Sequence, residues 1–304
     1  MRTEYILILV LLAAVVALAI FRRRPDLPVE NFLSFRKPTL WWFVDTEMNA
    51  RSDTSQNSDK PNRGYLQVAL EAVKRTQGAD FAVSALVGRD AVLNHLPEAP
   101  AEAKLLPPAL WRNWVIANLL AKYGGVAMDG NSTLFVGPSL LPHVKTHGAA
   151  MFGTYPDEPV VNPETASAPG PAPYAGWAAK PNHPAWTYAA GIWNSLASRG
   201  PQAWSSAIAR RTDMSVWMTQ KQYGAVVVRS ADGGRLPSGK ARQLEDLFGR
   251  VANPVDPNTT LVDGTVYVSY DGDNLSRRHE FNWFLRLSPE QIRESDLVWA
   301  ALAG

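Results

Sequence analysis

Cysteine is absent from the 304 residues. That excludes disulfides, thiolate zinc sites and cysteine nucleophiles, and it leaves the compartment open. Strong net charge is also missing. The chain has 30 Lys and Arg against 28 Asp and Glu, a formal +2, which gives no reason to expect a nucleic-acid partner. Residues 1–37 hold six basic and three acidic side chains, so the remainder is close to neutral. There is no internal repeat. A phosphate loop is lacking too: Asp232 to Lys240, DGGRLPSGK, has the wrong glycine spacing and no strand–loop–helix around it. What the chain does have is apolar mass, with 46% hydrophobic residues and 11 tryptophans. That is enough to bury the core of one large or two modest domains.

The N-terminus carries the clearest physical signal. Tyr5 to Phe21 is an uncharged, mostly apolar run of 17 residues, the short end of what crosses a bilayer as a helix. Arg22, Arg23 and Arg24 follow it, whereas Arg2 before it is offset by Glu4. By the positive-inside rule the arginine side stays cytoplasmic, and the C-terminal part with it. A cleaved signal peptide is the rival reading, because Ala17-Leu18-Ala19 has the small-x-small form. The basic cluster directly after the apolar run argues against export. The expected organisation is an anchor over 1–24, a proline-containing linker over 25–40 and one domain over 41–304.

Within that domain, Leu40 to Asp45, LWWFVD, has the composition of a buried strand ending in a carboxylate. Tyr65 to Thr76 puts Leu66, Ala69, Leu70 and Val73 on one face of a helix. Phe81 to Gly88 suits a second strand. Strand, helix, strand at this spacing predicts a βαβ unit and a mostly parallel sheet with flanking helices. A helix is expected from Ala109 to Tyr123, with Pro107 and Pro108 before it and Gly124 and Gly125 after. Val126 to Met128 then forms a short strand delivering Asp129. Residues 154–176 contain six prolines and read as a long loop. Helices are expected over His183–Ser198 and Ser205–Gln222, and strands over Ala225–Arg229 and Thr265–Tyr270. Ligands of open α/β sheets sit outside the carboxyl ends of strands, so Asp45 and Asp129 are expected to face one crevice.

The stretch from Leu110 to Pro142, LWRNWVIANLLAKYGGVAMDGNSTLFVGPSLLP, resembles the core of DXD-containing sugar transferases and the related capsular-polysaccharide-synthesis glycosyltransferases. The shared pattern is a helix, a Gly-Gly turn, a strand ending in aspartate, and an apolar run ending near a proline. Gly176 to Leu196 is similar to the family's next element, a small-residue strand before a helix. His279 to Phe284, HEFNWF, resembles its closing C-terminal loop. The resemblance implies a GT-A fold, a Rossmann-like sheet, and transfer of a sugar from a nucleotide-sugar donor to a glycan or polysaccharide acceptor. It further implies a divalent cation, Mn²⁺ or Mg²⁺, on the donor diphosphate. Asp129 would ligate it, with Asn131 and His279 as further ligands. Asp45, Arg112, Asn113, Asp129, Gly130 and Trp283 would line the nucleotide-sugar site.

The physical logic of that motif is general. A diphosphate is a dense anion, and hard cations bridge it using one or two carboxylates plus the phosphates. The departures from the pattern are specific. Asn131 stands where the second carboxylate is expected, and Asn113 and Ile116 stand where the family carries an aspartate and an arginine. Arg112, one helical turn before Ile116, is the candidate replacement for that arginine. A second Asp-x-Asp, Asp271-Gly272-Asp273, follows a strand but lacks the helix and Gly-Gly context. These departures support an alternative, a degenerate glycosyltransferase fold kept as a membrane-tethered scaffold.

Overall fold

A continuous apolar run is what a strand buried on both faces requires. Such a run forms β1 (Thr39–Val44), which is buried from Leu40 onward. The computed structural model describes residues 37–46, 64–152, 175–204, 223, 225–228, 233, 236–238, 242–251, 260–270, 272–281 and 283–304. Side chains at 226, 227, 273, 274, 277 and 279 lie outside that description. Pro38–Gly304 forms one compact unit.

After β1 come α1 (Gly64–Gln77) and β2 (Ala82–Val87), and β2 pairs parallel to β1 with Val44 opposite Val87. The predicted βαβ unit is present. Next are α2 (Arg89–His95), a 3₁₀ turn (Ala101–Leu105), α3 (Pro108–Tyr123) and β3 (Gly125–Asp129). Then follow β4 (Thr133–Phe135), α4 (Leu141–Val144), β5 (Ala149–Phe152), β6 (Ala175–Ala178) and α5 (Pro184–Ala197). The C-terminal part supplies β7 (Ala225–Val228), α6 (Leu244–Phe248), β8 (Tyr267–Ser269), α7 (Gly272–Arg277), α8 (Pro289–Arg293) and α9 (Val298–Ala303).

Six strands form one sheet in the order β2-β1-β3-β6-β5-β7. β6 runs antiparallel to both its neighbours, and the other five share one direction. The chain is therefore a mixed α/β protein with a mostly parallel sheet. Strand alternation sorts the core onto two faces. Leu40, Trp42 and Val44 pack with α1 and the C-terminal helices, while Trp41 and Phe43 pack with α3 and α5. Pro108 opens α3 at its first turn, and Gly124 closes it with φ of 67°. Gly125 follows at φ 84°, where an added Cβ would lie 2.2 Å from the Thr39 carbonyl oxygen. Two left-handed residues in succession turn the chain from α3 into β3 alongside β1, which is why both must be glycine.

Several expectations need revision. The predicted strand over Thr265–Tyr270 is shorter and joins β4 in a separate antiparallel pair, Thr133 opposite Ser269. β5 and α2 lack a clear periodicity and are additions to the expected elements. The last two residues of the proline-rich stretch, Ala175 and Gly176, belong to β6. The remainder of that stretch, the helix expected over 205–222 and the apolar run Tyr5–Phe21 lie outside the described residues. Among the described residues no helix is long and apolar enough to cross a membrane.

α5 begins with an unusual cap. His183 Nδ1 accepts a hydrogen bond from the Ala185 backbone N–H, which only the unprotonated ring nitrogen can do. Burial and Lys180 both hold the His183 pKa below its ordinary value. The unfolded chain therefore takes up the proton first. The contribution is full above the ordinary histidine value and is lost as pH falls from there through the lowered folded value. Denaturant titrations are expected to show this cap contributing more at pH 8 than at pH 5, by less than about 1 kcal/mol because the ring is partly solvated. In His183→Asn, whose amide caps at either pH, that difference disappears.

Candidate functional site

The carboxyl ends of β1 and β3 lie side by side, with Phe43 opposite Asp129. From β1 the chain crosses to β2 on one flank, and from β3 it goes on to strands on the other. This divergence makes a switch point, where α/β sheets bind ligands. Asp45 is the first residue past β1, and Asp129 is the last of β3.

The turn after β3 is held from several sides. Gly130 N–H donates to the Phe43 carbonyl at 2.7 Å, and an added Cβ on Gly130 would strike the Trp42 indole at 2.4 Å. Asp129 Oδ1 accepts from the Asn131 backbone N–H at 2.9 Å, and Oδ2 accepts from Ser132 Oγ at 2.7 Å. Arg112 Nη1, from α3, lies 3.7 Å from Asp129 Oδ2. Burial pushes the Asp129 pKa up, with Asp45 adding to it, while Arg112, Ser132 and the Asn131 N–H pull it down. The Asn131 carboxamide faces β1: Oδ1 accepts from Asp45 N–H at 2.7 Å, and Nδ2 donates to the Asp45 carbonyl at 3.2 Å.

Asp45 points to a different partner. Its Oδ1 and Oδ2 accept from Arg89 Nε at 3.1 Å and Nη2 at 2.8 Å, with both side chains 4% exposed. Arg89 Nη1 also donates to the carbonyls of Lys104 and Leu106, and its guanidinium lies 4.9 Å over the Trp111 ring. The sequence reading overlooked Arg89, though a signal existed. Val44 and Val87 are in register, so the residues just beyond them, Asp45 and Arg89, emerge at the same end of the sheet.

Of the expected site residues, Asp45, Asp129, Gly130, Asn131 and Arg112 converge. Asn113 is the next residue on α3, 6% exposed, and its Oδ1 has no partner among the described residues. Trp283 is 45% exposed and meets the Phe284 ring edge-on at 6.1 Å, a contact with the C-terminal cluster and not with Asp129. His279 opens a short 3₁₀ turn, and its side chain lies outside the described residues. On the α1 side of the same strand ends, a cavity of about 390 Å³ is lined by Trp42, Val44, Leu66, Leu70, Val87 and Pro289.

A divalent cation needs oxygen ligands presented to it together. Both Asp129 oxygens already accept hydrogen bonds, a guanidinium stands beside Oδ2, and both ends of the Asn131 amide are engaged by Asp45. No three His, Asp or Glu side chains gather among the described residues. The donor set at Asp129 and Asn131 therefore does not fit the metal expected from the motif. Likewise the Asp45 carboxylate, expected near the nucleotide, is committed to Arg89. No family model, curated protein or solved structure matches this chain.

Proposed function

We propose that the chain is a membrane-anchored glycosyltransferase of GT-A-like architecture, moving a sugar from a nucleotide-sugar to a glycan or polysaccharide acceptor. One observation carries the reading: Arg112 and Asp129 meet at the switch point between β1 and β3. A fixed guanidinium at that place suits a diphosphate, because arginine presents planar donors matched to phosphate oxygens. It also stabilises the negative charge that grows on a departing diphosphate, with no reorganisation at the moment of transfer. Asn113 adds a buried amide on the same helix, and the apolar cavity beside Trp42 and Val44 suits a flat base. No step is assigned to a metal.

A second reading rests on a specific observation of its own. Asp129 and Asn131 are each 1% exposed, and their polar atoms bond within the protein, as expected of a scaffold. Thermal shift with UDP, GDP and CMP separates the two. Binding at one hundred times the dissociation constant adds about 2.7 kcal/mol, a rise of roughly 5–10 °C for a unit of this size. At least one nucleotide is expected to produce that rise, and Arg112→Lys to weaken its binding by about tenfold. If none of the three moves the transition, the glycosyltransferase reading fails and the scaffold stands.

A further inference from the structure

Asn131 occupies the place where the motif leads one to expect a second metal-ligating carboxylate. Its surroundings ask for something a carboxylate cannot supply. Asp45 presents a backbone N–H and a carbonyl to the same side chain, at 2.7 Å and 3.2 Å. An amide answers both, with one acceptor and one donor, whereas an ionised carboxylate only accepts. The arrangement copies a strand pairing beyond the last backbone pair, Phe43 with Asp129. It is also continuous with the next residues. The Asn131 N–H holds Asp129 Oδ1, Ser132 Oγ holds Oδ2, and the Ser132 carbonyl accepts from Tyr270 N–H at 2.9 Å.

We infer that Asn131 is a positioning residue: its carboxamide joins the ends of β1 and β3 and fixes the Asp129–Gly130 corner, so the site is built to work without a metal held at 129 and 131. The asparagine is then a requirement of this corner and not a decayed aspartate. With a carboxylate in place of the amide, the Asp45 carbonyl would lose its donor while buried, and a third acidic group would join Asp45 and Asp129 with no new cation. The metal-free part of the inference rests on the glycosyltransferase reading. The pairing of β1 with β3 through Asn131 does not.

The test uses the full-length chain as parent, Asn131→Asp and Asn131→Leu, with Mn²⁺ as the probe, alone and with UDP, GDP or CMP. Asn131→Asp is expected to melt lower than the parent by about 4 °C, and Mn²⁺ is expected to restore none of it. Asn131→Leu, which loses both bonds, is expected to melt lower still. In the parent, nucleotide affinity is expected to change less than twofold on adding Mn²⁺. A rise in melting temperature for Asn131→Asp with Mn²⁺, or a tenfold gain in its nucleotide affinity with the metal, overturns the inference. If the variants do not fold, the parent alone decides through the side-chain amide resonances of Asn131. Mn²⁺ bound at the corner broadens them beyond detection, which overturns the inference; unbroadened resonances uphold it. Absence of nucleotide binding defeats the glycosyltransferase reading, while the Mn²⁺-only and resonance measurements still judge the role of Asn131.

Discussion

Replacing Arg89 by leucine is expected to cost about 3–5 kcal/mol, the range for removing one partner of a buried ion pair. The loss has three sources. Asp45 would keep a buried charge with neither of its guanidinium bonds. The carbonyls of Lys104 and Leu106 would lose the donor that ties the 3₁₀ segment to the sheet end. The face of Trp111 would lose the cation stacked on it. Urea titration measures the change, and the midpoint should fall without a change in slope. Most of the cost comes from taking the guanidinium away from Asp45, so Arg89→Leu combined with Asp45→Leu is expected to be less damaging than the sum of the two singles. A loss below about 1 kcal/mol in Arg89→Leu would show that the pair is open to water and that Asp45 is available for a ligand.

Arg89 also marks what the sequence could and could not reveal. The βαβ unit was legible because β1 is apolar from Leu40 to Val44 and α1 has a one-sided apolar stripe, both pattern signals that survive in a single chain. The exit from α3 was legible because two adjacent glycines leave few alternatives. β5, AAMF, and β6, AGWA, are four residues each and too short for periodicity to distinguish them from loops; the second was approached only through a family resemblance. At the site, the motif put Asp129 at a strand end, where the fold has it, whereas Arg112 matches no position of the motif and was reached through helical spacing alone. The motif could not reveal the two bonds from Asn131 to Asp45, because it describes which residue types recur and not which backbone groups face them. The partner of Asn131 is 86 positions away in Asp45. Only the parallel register of β1 and β3 makes them neighbours, and register is a tertiary property.

The same kind of long-range contact makes Gly272 the second sensitive position. In the sequence it is the middle of an Asp-x-Asp that lacked the surrounding motif, and its glycine could pass for a loop residue. In the fold, β8 pairs with β4 and brings this turn against the Asp129 corner. A Cβ on Gly272 would lie 2.2 Å from the Asn131 carbonyl oxygen, 2.8 Å from its carbon and 3.0 Å from Ser132 Oγ. Two of those atoms are backbone and have little freedom to yield, so Gly272→Ala is expected to cost about 1–3 kcal/mol by overpacking. Gly191 provides the comparison: it sits exposed within α5, and a Cβ there would meet nothing within 4 Å. Gly191→Ala is expected to stabilise by about 0.5–1 kcal/mol through helix propensity alone. Thermal melts of the two variants should therefore move in opposite directions. Hydrogen exchange adds the location, since the Tyr270 N–H that bonds to the Ser132 carbonyl should lose protection in Gly272→Ala and keep it in Gly191→Ala. A Gly272→Ala protein as stable as the parent, with that amide still protected, would mean that the Asn131 carbonyl yields to the added methyl and that Gly272 is not a close-packed position. The corner would then be tied to the C-terminal part through the Tyr270–Ser132 bond and the β4–β8 pair, without help from the packing at Gly272.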